Sequence, residues 1–173
     1  LESLPGYLLT EVQNINAIKD DTLEVEIYMK QKTRDLLFEL TVKEGDPDRI
    51  SNITGTLSGI AGSFDLSSQR ICGEAMNTSF PFARTNDKIT AHTRLLGTTG
   101  LKQSLRIDLT FTDGSSQTIE NDLTDLLKNF NDDMPTPMYI TGDLLTPIEA
   151  DMTATIVGWE NGNEENGENI EIY

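Results

Sequence analysis

The chain has 173 residues, and its 29 acidic against 13 basic side chains give a formal net charge of −16, a balance that repels nucleic acid phosphates and anionic membrane surfaces. That length can bury a core without metal or disulfide staples, and the single cysteine, Cys72, excludes an internal bridge. No stretch reaches the length of a transmembrane helix, and a chain that opens on Leu1 reads as processed or truncated, its targeting information removed.

Residues 1–21 show no clean period and read as a lead-in, the remainder of an earlier domain or a linker. "TLEVEIYMK" then alternates, with Leu23, Val25, Ile27 and Met29 against Glu24, Glu26 and Tyr28, which predicts a half-buried strand. "DLLFELTVK" repeats the pattern with Leu36, Phe38, Leu40 and Val42 inward, and the short basic link "KQKTR" suits a hairpin or one long bent strand. "EGDPD" at 44–48 is a loop, punctuated by Gly and Pro. "RISNITGTL" predicts a third strand with Ile53 and Leu57 in the core.

"TLSGIAGSFDL", residues 56–66, is glycine-punctuated and nearly uncharged. Gly59 and Gly62 suit a tight turn with φ > 0 after a strand ending near Leu57. The turn comprises Leu57, Ser58, Gly59, Ile60, Ala61 and Gly62, and Leu57, Ile60 and Phe64 then tuck into the end of the core, a buried crossover. Further on, Pro81 demotes "TSFPFAR" to an edge strand or a bulge. "KITAHTRLLG" offers Ile89, Ala91, Thr93 and Leu95 on one face. "SLRIDLTFT" is the best strand, with Leu105, Ile107, Leu109 and Phe111 inward; "DG" at 113–114 then turns the chain and "SQTIE" returns as its partner.

"NDLTDLLKNF" predicts one helix, with Leu123, Leu126, Leu127 and Phe130 as an apolar stripe, Asp122 as N-cap and Asp125 near N3. "NDDMPTP" ends it. "MYITG" and "DMTATIVGW" are two more strands, the latter with Met152, Ala154 and Ile156 on one face. Residues 160–173 form a low-complexity acidic tail whose final "IEIY" keeps a strand pattern. About seven or eight short strands with one short helix predict an all-β fold, an antiparallel β-sandwich over residues 22–159.

Nothing in the sequence assembles a catalytic constellation. His92 is the one histidine, and no G-x-S-x-G accompanies it, so it reads as an ordinary strand histidine. Cys72 has no C-x-x-C partner, and nothing local supports a Cys72–His92 pair. Asp132 and Asp133 read as solvated charge at a helix end, since the calcium-loop pattern is missing. "GTTGLKQS" lacks the G-K-[ST] ending of a phosphate loop. Trp159 reads first as a core plug or sandwich end cap, and second as a stacking platform for a sugar. The sequons at Asn52 and Asn77 carry meaning only in a suitable secretory system. No cofactor and no metal site is expected.

"TGTLSGIAGSFDL" resembles the "LSG-M/I/V-AG" signature of Bacteroidetes fimbrial subunits, within them the FimB/Mfa2-type minor or anchor subunits. "TRDLLFELTVKEGD", "SLRIDLTFTDG" and "IENDLTDLL" match further family segments in order; in the last, Asp122 and Thr124 fit the family's "DVTxQ" while Leu123 replaces the usual Val. The resemblance runs from about Leu23 to Trp159. It implies a transthyretin-like β-sandwich on the cell surface, without enzymatic activity, in a family whose members are usually two-domain lipoproteins that assemble or anchor pili. This chain would then be one domain, with the lipid-bearing N-terminus that attaches it to the outer membrane missing. The implied partners are other fimbrial subunits, joined by β-strand addition, with the lead-in through Met29 or the C-terminal "IVGW…IEIY" as exchanging elements. The family's O-glycosylation rule makes Thr22, in "DTL", a candidate acceptor. The rival reading is a carbohydrate-binding β-sandwich of a surface glycan system, for which Trp159 and Tyr139 are the aromatic candidates.

Overall fold

The computed structural model describes residues 2–16, 18–20, 22–146 and 153–162. In chain order the strands are β1 (Leu9–Thr10), β2 (Lys30–Gln31), β3 (Arg34–Glu44), β4 (Ile50–Asp65), β5 (Arg70–Pro81), β6 (Ala83–Thr85), β7 (Lys88–Leu95), β8 (Ser104–Phe111) and β9 (Ser116–Asp122). A one-turn helix α1 (Thr124–Leu127) follows, then β10 (Met138–Leu145) and β11 (Thr155–Gly162). A five-stranded sheet in the order β11-β10-β3-β7-β6 faces a four-stranded sheet in the order β5-β4-β8-β9, and β1 and β2 make a separate two-stranded ribbon. The expected all-β sandwich is present.

Alternation builds the core. On β3, Leu36, Phe38, Leu40 and Val42 are buried; on β7, Ile89, Ala91, Thr93 and Leu95; on β8, Leu105, Ile107, Leu109 and Phe111. Each leucine, isoleucine, valine or phenylalanine among these stabilises the fold by about 1.5–3 kcal/mol when fully withdrawn from water. Phe38, Phe80 and Phe82 join the two sheets with ring centroids 5.5–6.1 Å apart. The β8–β9 hairpin turns at Asp113–Gly114 as its sequence predicts, with Ser115 N donating to Asp113 Oδ1 at 2.9 Å. One pairing departs from the antiparallel expectation. β10 runs parallel to β3, from Met138 beside Leu36 to Leu145 beside Glu44.

Four further expectations are corrected. Residues 23–29 form no strand, although they alternate; Leu23, Val25, Ile27 and Met29 are 57, 39, 48 and 55% exposed. A strand needs a free edge, and β3 has both of its edges taken, by β7 and β10. The signature at 57–62 is not a turn but the middle of the 16-residue strand β4. The helix spans four residues instead of ten, and Leu123 rather than Asp122 occupies its N-cap position. Asp122 still serves the helix start, accepting from Thr124 N at 3.0 Å and from Thr124 Oγ1 at 2.5 Å. The chain tightens after Leu127, where Phe130 N bonds Leu127 O, and the buried Arg34 donates to the carbonyls of Asn129, Phe130 and Thr136. Finally, β11 runs on through Glu160 to Gly162, so the first three residues of the expected tail are strand. Met152 and the terminal "IEIY" lie outside the described residues.

Candidate functional site

The signature stretch is a junction between elements. Up to Leu57, β4 pairs with β8; beyond it, β4 continues beside β5 alone and turns its other edge to the loop that leaves β7. Ser58 and Gly59 face a single residue of β5, Asn77, so a β-bulge sits here, and Gly59 takes φ = 71°. The bulge lets Leu57 and Ile60, three positions apart, both point into the core with no exposure. It also frees backbone groups for the loop: Ala61 N donates to Gly97 O at 2.9 Å and Thr99 N to Gly59 O at 2.8 Å. A Cβ on Gly59 would lie 2.4 Å from Lys102 O, so the loop closes directly on this glycine. From the loop the network reaches the helix, since Gln103 N donates to Thr124 Oγ1 at 3.0 Å and Leu123 N to Gln103 O at 2.8 Å.

A second cluster fastens the N-terminal segment to the outer face of β3 and β7. Asp35, 2% exposed, accepts on Oδ1 from Arg94 Nε at 2.8 Å and on Oδ2 from the Tyr7 hydroxyl at 2.8 Å, and His92 Nε2 lies 2.9 Å from Oδ1. The Arg94 guanidinium lies 3.9 Å from the centre of the Tyr7 ring. Burial pushes the Asp35 carboxyl up, but hydrogen bonds from Arg94, His92 and Tyr7 outweigh it and hold the carboxyl below its ordinary range. Asp35 in turn raises Tyr7, whose phenol donates to it. His92 therefore works as a partner of Asp35, and Cys72 is an exposed thiol at Ser63 on the hairpin of β4 and β5. Among the described residues no group of three or more His, Cys, Asp or Glu side chains could hold a metal ion.

Sequence reasoning missed two features. β5 was legible only around Pro81, because its first eight residues are largely exposed on both faces and a register shift at Gly73 breaks the alternation. Among the described residues its outer edge borders no other strand, so it is the long outer strand of the four-stranded sheet. The second is an open groove of about 630 Å³ between β2 and the tip of the β4–β5 hairpin, with Phe64, Ile71 and Leu96 on its floor and Lys32 and Arg70 on its walls. The cross-strand neighbours Asp35 and Arg94 were open to detection once the register of β3 against β7 was fixed.

The remaining candidates are scattered. Trp159 packs partly buried against the core, its ring over Gly142, with Nε1 buried and without a partner among the described residues. A bulge brings it inward: Gly158, at φ = 65°, and Trp159 together face Gly142, which turns Trp159 to the same side as Ile156. Tyr139 stands on β10, half-buried, opposite Gly162 at the end of that same strand pairing. Thr22 is exposed and lies outside every strand, beside Asp21, which is not among the described residues. No helix among the described residues is long and apolar enough to cross a membrane.

The sequence matches the family of fimbrillin-A associated anchor proteins Mfa1 and Mfa2 over residues 4–165. Among solved structures, a candidate adhesin from Bacteroides ovatus is 13% identical at a TM-score of 0.65, over 88% of this chain and 61% of its own. The fimbrial anchor protein Mfa2 from Porphyromonas gingivalis is 14% identical at a TM-score of 0.52, over 77% of this chain and 47% of its own. A candidate cell adhesion protein from Bacteroides fragilis is 15% identical at 0.50, over 78% and 47%. The chain thus spans less than two thirds of the length of each of these structures, and they share its fold. No protein with a curated description matches it. With the match running over nearly the whole described sandwich, this chain belongs to the fimbrillin-A associated anchor protein family.

Proposed function

We propose that the protein is a non-enzymatic structural subunit of a cell-surface fimbrium, a minor or anchor subunit that joins other fimbrial subunits by β-strand addition. The observation that carries this reading is the family match over residues 4–165. Two structural features support the strand-addition step. β5 is a 12-residue outer strand of the four-stranded sheet, and, among the described residues, residues 23–29 keep a strand's alternation without joining a sheet. In this reading the sandwich has the transthyretin-like form that the resemblance implies, the whole protein is held at the outer membrane by a lipid anchor, and Thr22 is a glycan acceptor.

The test is co-purification with the fimbrial subunits of the same organism. The full chain is compared with one lacking residues 1–30 and one lacking residues 160–173. Loss of co-purification in one truncation identifies the exchanging segment; full retention in both refutes strand addition by the termini. The carbohydrate-binding rival gains no support at Trp159, whose ring is turned onto Gly142 and the core.

A further inference from the structure

We infer that residues 23–29 of one copy occupy the groove beside β2 in a second copy, so that two chains pair by reciprocal exchange. This goes beyond assembly with a fimbrial partner and does not depend on it. The donor is defined by its chemistry. Leu23, Val25, Ile27 and Met29 form one apolar row, all at least 39% exposed, and Glu24 and Glu26 lie on the opposite side. In extended chain those two carboxylates sit roughly 6.6 Å apart along one face.

The groove has the complementary character. Its floor is apolar, from Phe64, Ile71 and Leu96. Its lining carries three cations, Lys30, Lys32 and Arg70, against one carboxylate, Asp132, on a molecule of net charge −16. Most basic side chains in the structure, Lys43, Arg84, Lys88 and Arg106 among them, already sit within 4.0 Å of a carboxylate. Lys32 and Arg70 have no carboxylate at that distance among the described residues; Lys32 rests over the Phe64 ring, 5.9 Å from its centre. An extended strand with its apolar row on the floor leaves its carboxylates at the height of these two long side chains. Charges of opposite sign placed this way steer and orient the encounter.

The geometry also sets the symmetry. Met29 both ends the donor row and lines the groove of its own chain, so a segment leaving one groove enters its neighbour's within a few residues. The same two surfaces then meet twice about a two-fold axis, which closes a dimer rather than opening a filament.

Sedimentation of the intact chain against concentration tests this. We expect a monomer–dimer equilibrium that weakens with added salt. K32E/R70E and E24K/E26K each raise the dimer dissociation constant by roughly 100-fold, about threefold for each of the four pairs in a reciprocal dimer. Combining the four substitutions restores dimerisation to within about threefold of the native chain. R70E alone, at an exposed position, guards against a folding defect from uncovering Phe64, and circular dichroism of every variant checks the sandwich. A chain that stays monomeric, a dimer indifferent to either reversal, or a quadruple variant without rescue overturns the inference. So does a monomeric chain that binds only the free peptide TLEVEIYM, since the occupant would then not be a second copy.

Discussion

Thr93 is fully buried on the inner face of β7, and its hydroxyl has no partner among the described residues. A hydroxyl withdrawn from water without a hydrogen bond is destabilising, and valine keeps its shape. Thr93→Val is therefore expected to raise stability by about 1 kcal/mol, seen as a rise in Tm of roughly 2–4 °C. An unchanged or lower Tm would mean that the hydroxyl is satisfied in solution. Asp35 carries the opposite case, a buried carboxylate with every oxygen engaged. Its folded-state pKa is depressed below the unfolded value of about 3.9. The stability it contributes is then fully present above that value and is lost as pH falls through the folded one. Urea midpoints measured from pH 6 down to pH 2.5 should therefore fall more steeply below about pH 4 in the native chain than in Asp35→Asn. The variant should also be less stable at neutral pH, since Arg94 loses its charged partner while Tyr7 keeps an acceptor.

At the scale of elements, the bulge in β4 explains why the signature misled. Glycine in a nearly uncharged stretch reads as a chain breaker, yet here one positive φ at Gly59 shifts the register without ending the strand. Gly59→Ala has to adopt that φ and place a methyl 2.4 Å from Lys102 O. It is expected to cost roughly 2–4 kcal/mol, one part left-handed strain and one part displacement of the loop. The loss should appear as faster amide exchange at Thr99 and Leu123, which hang on this junction, before it appears in the β8–β9 hairpin. Other elements were legible wherever one face was buried and the other wet. β7 and β8 follow period two, and their inward residues were identified from that alone; β3 follows it from Phe38 to Val42, while its first five residues are buried on both faces. β5 was not legible, because exposure on both faces removes the contrast that alternation depends on. Residues 23–29 failed in the reverse sense. Their pattern is a strand's, but pairing is a property of the sheet, and β3, the next long strand along the chain, has both edges taken. The same limit applies to the candidate surfaces: the signature was visible as letters, whereas the groove exists only once the hairpin tip folds beside β2.

For the molecule as a whole, two covered sheets leave four outer strands, β5 and β9 on one sheet and β6 and β11 on the other. β6 has three residues, and β11 is bent by the bulge at Gly158. β5 is the longest of the four, its first eight residues are largely exposed, and Pro81 stands at its far end. An assembly protein that joins its neighbours through main-chain hydrogen bonds is built to keep such an edge, whereas a soluble monomer is under pressure to hide it. The absence of charge repulsion along β5 fits this use: between Cys72 and Pro81, Glu74 is the sole ionisable carboxylate in a molecule rich in them. Strand addition through this edge is the central claim, and amide hydrogen exchange addresses it directly. The chain is measured alone and after mixing with a fimbrial subunit of its own organism. The account predicts that amides facing outward along residues 70–81 become protected by at least about tenfold, in the every-other-residue pattern of a new ladder. Complex formation with no change along β5, or with protection confined to loops, would contradict it.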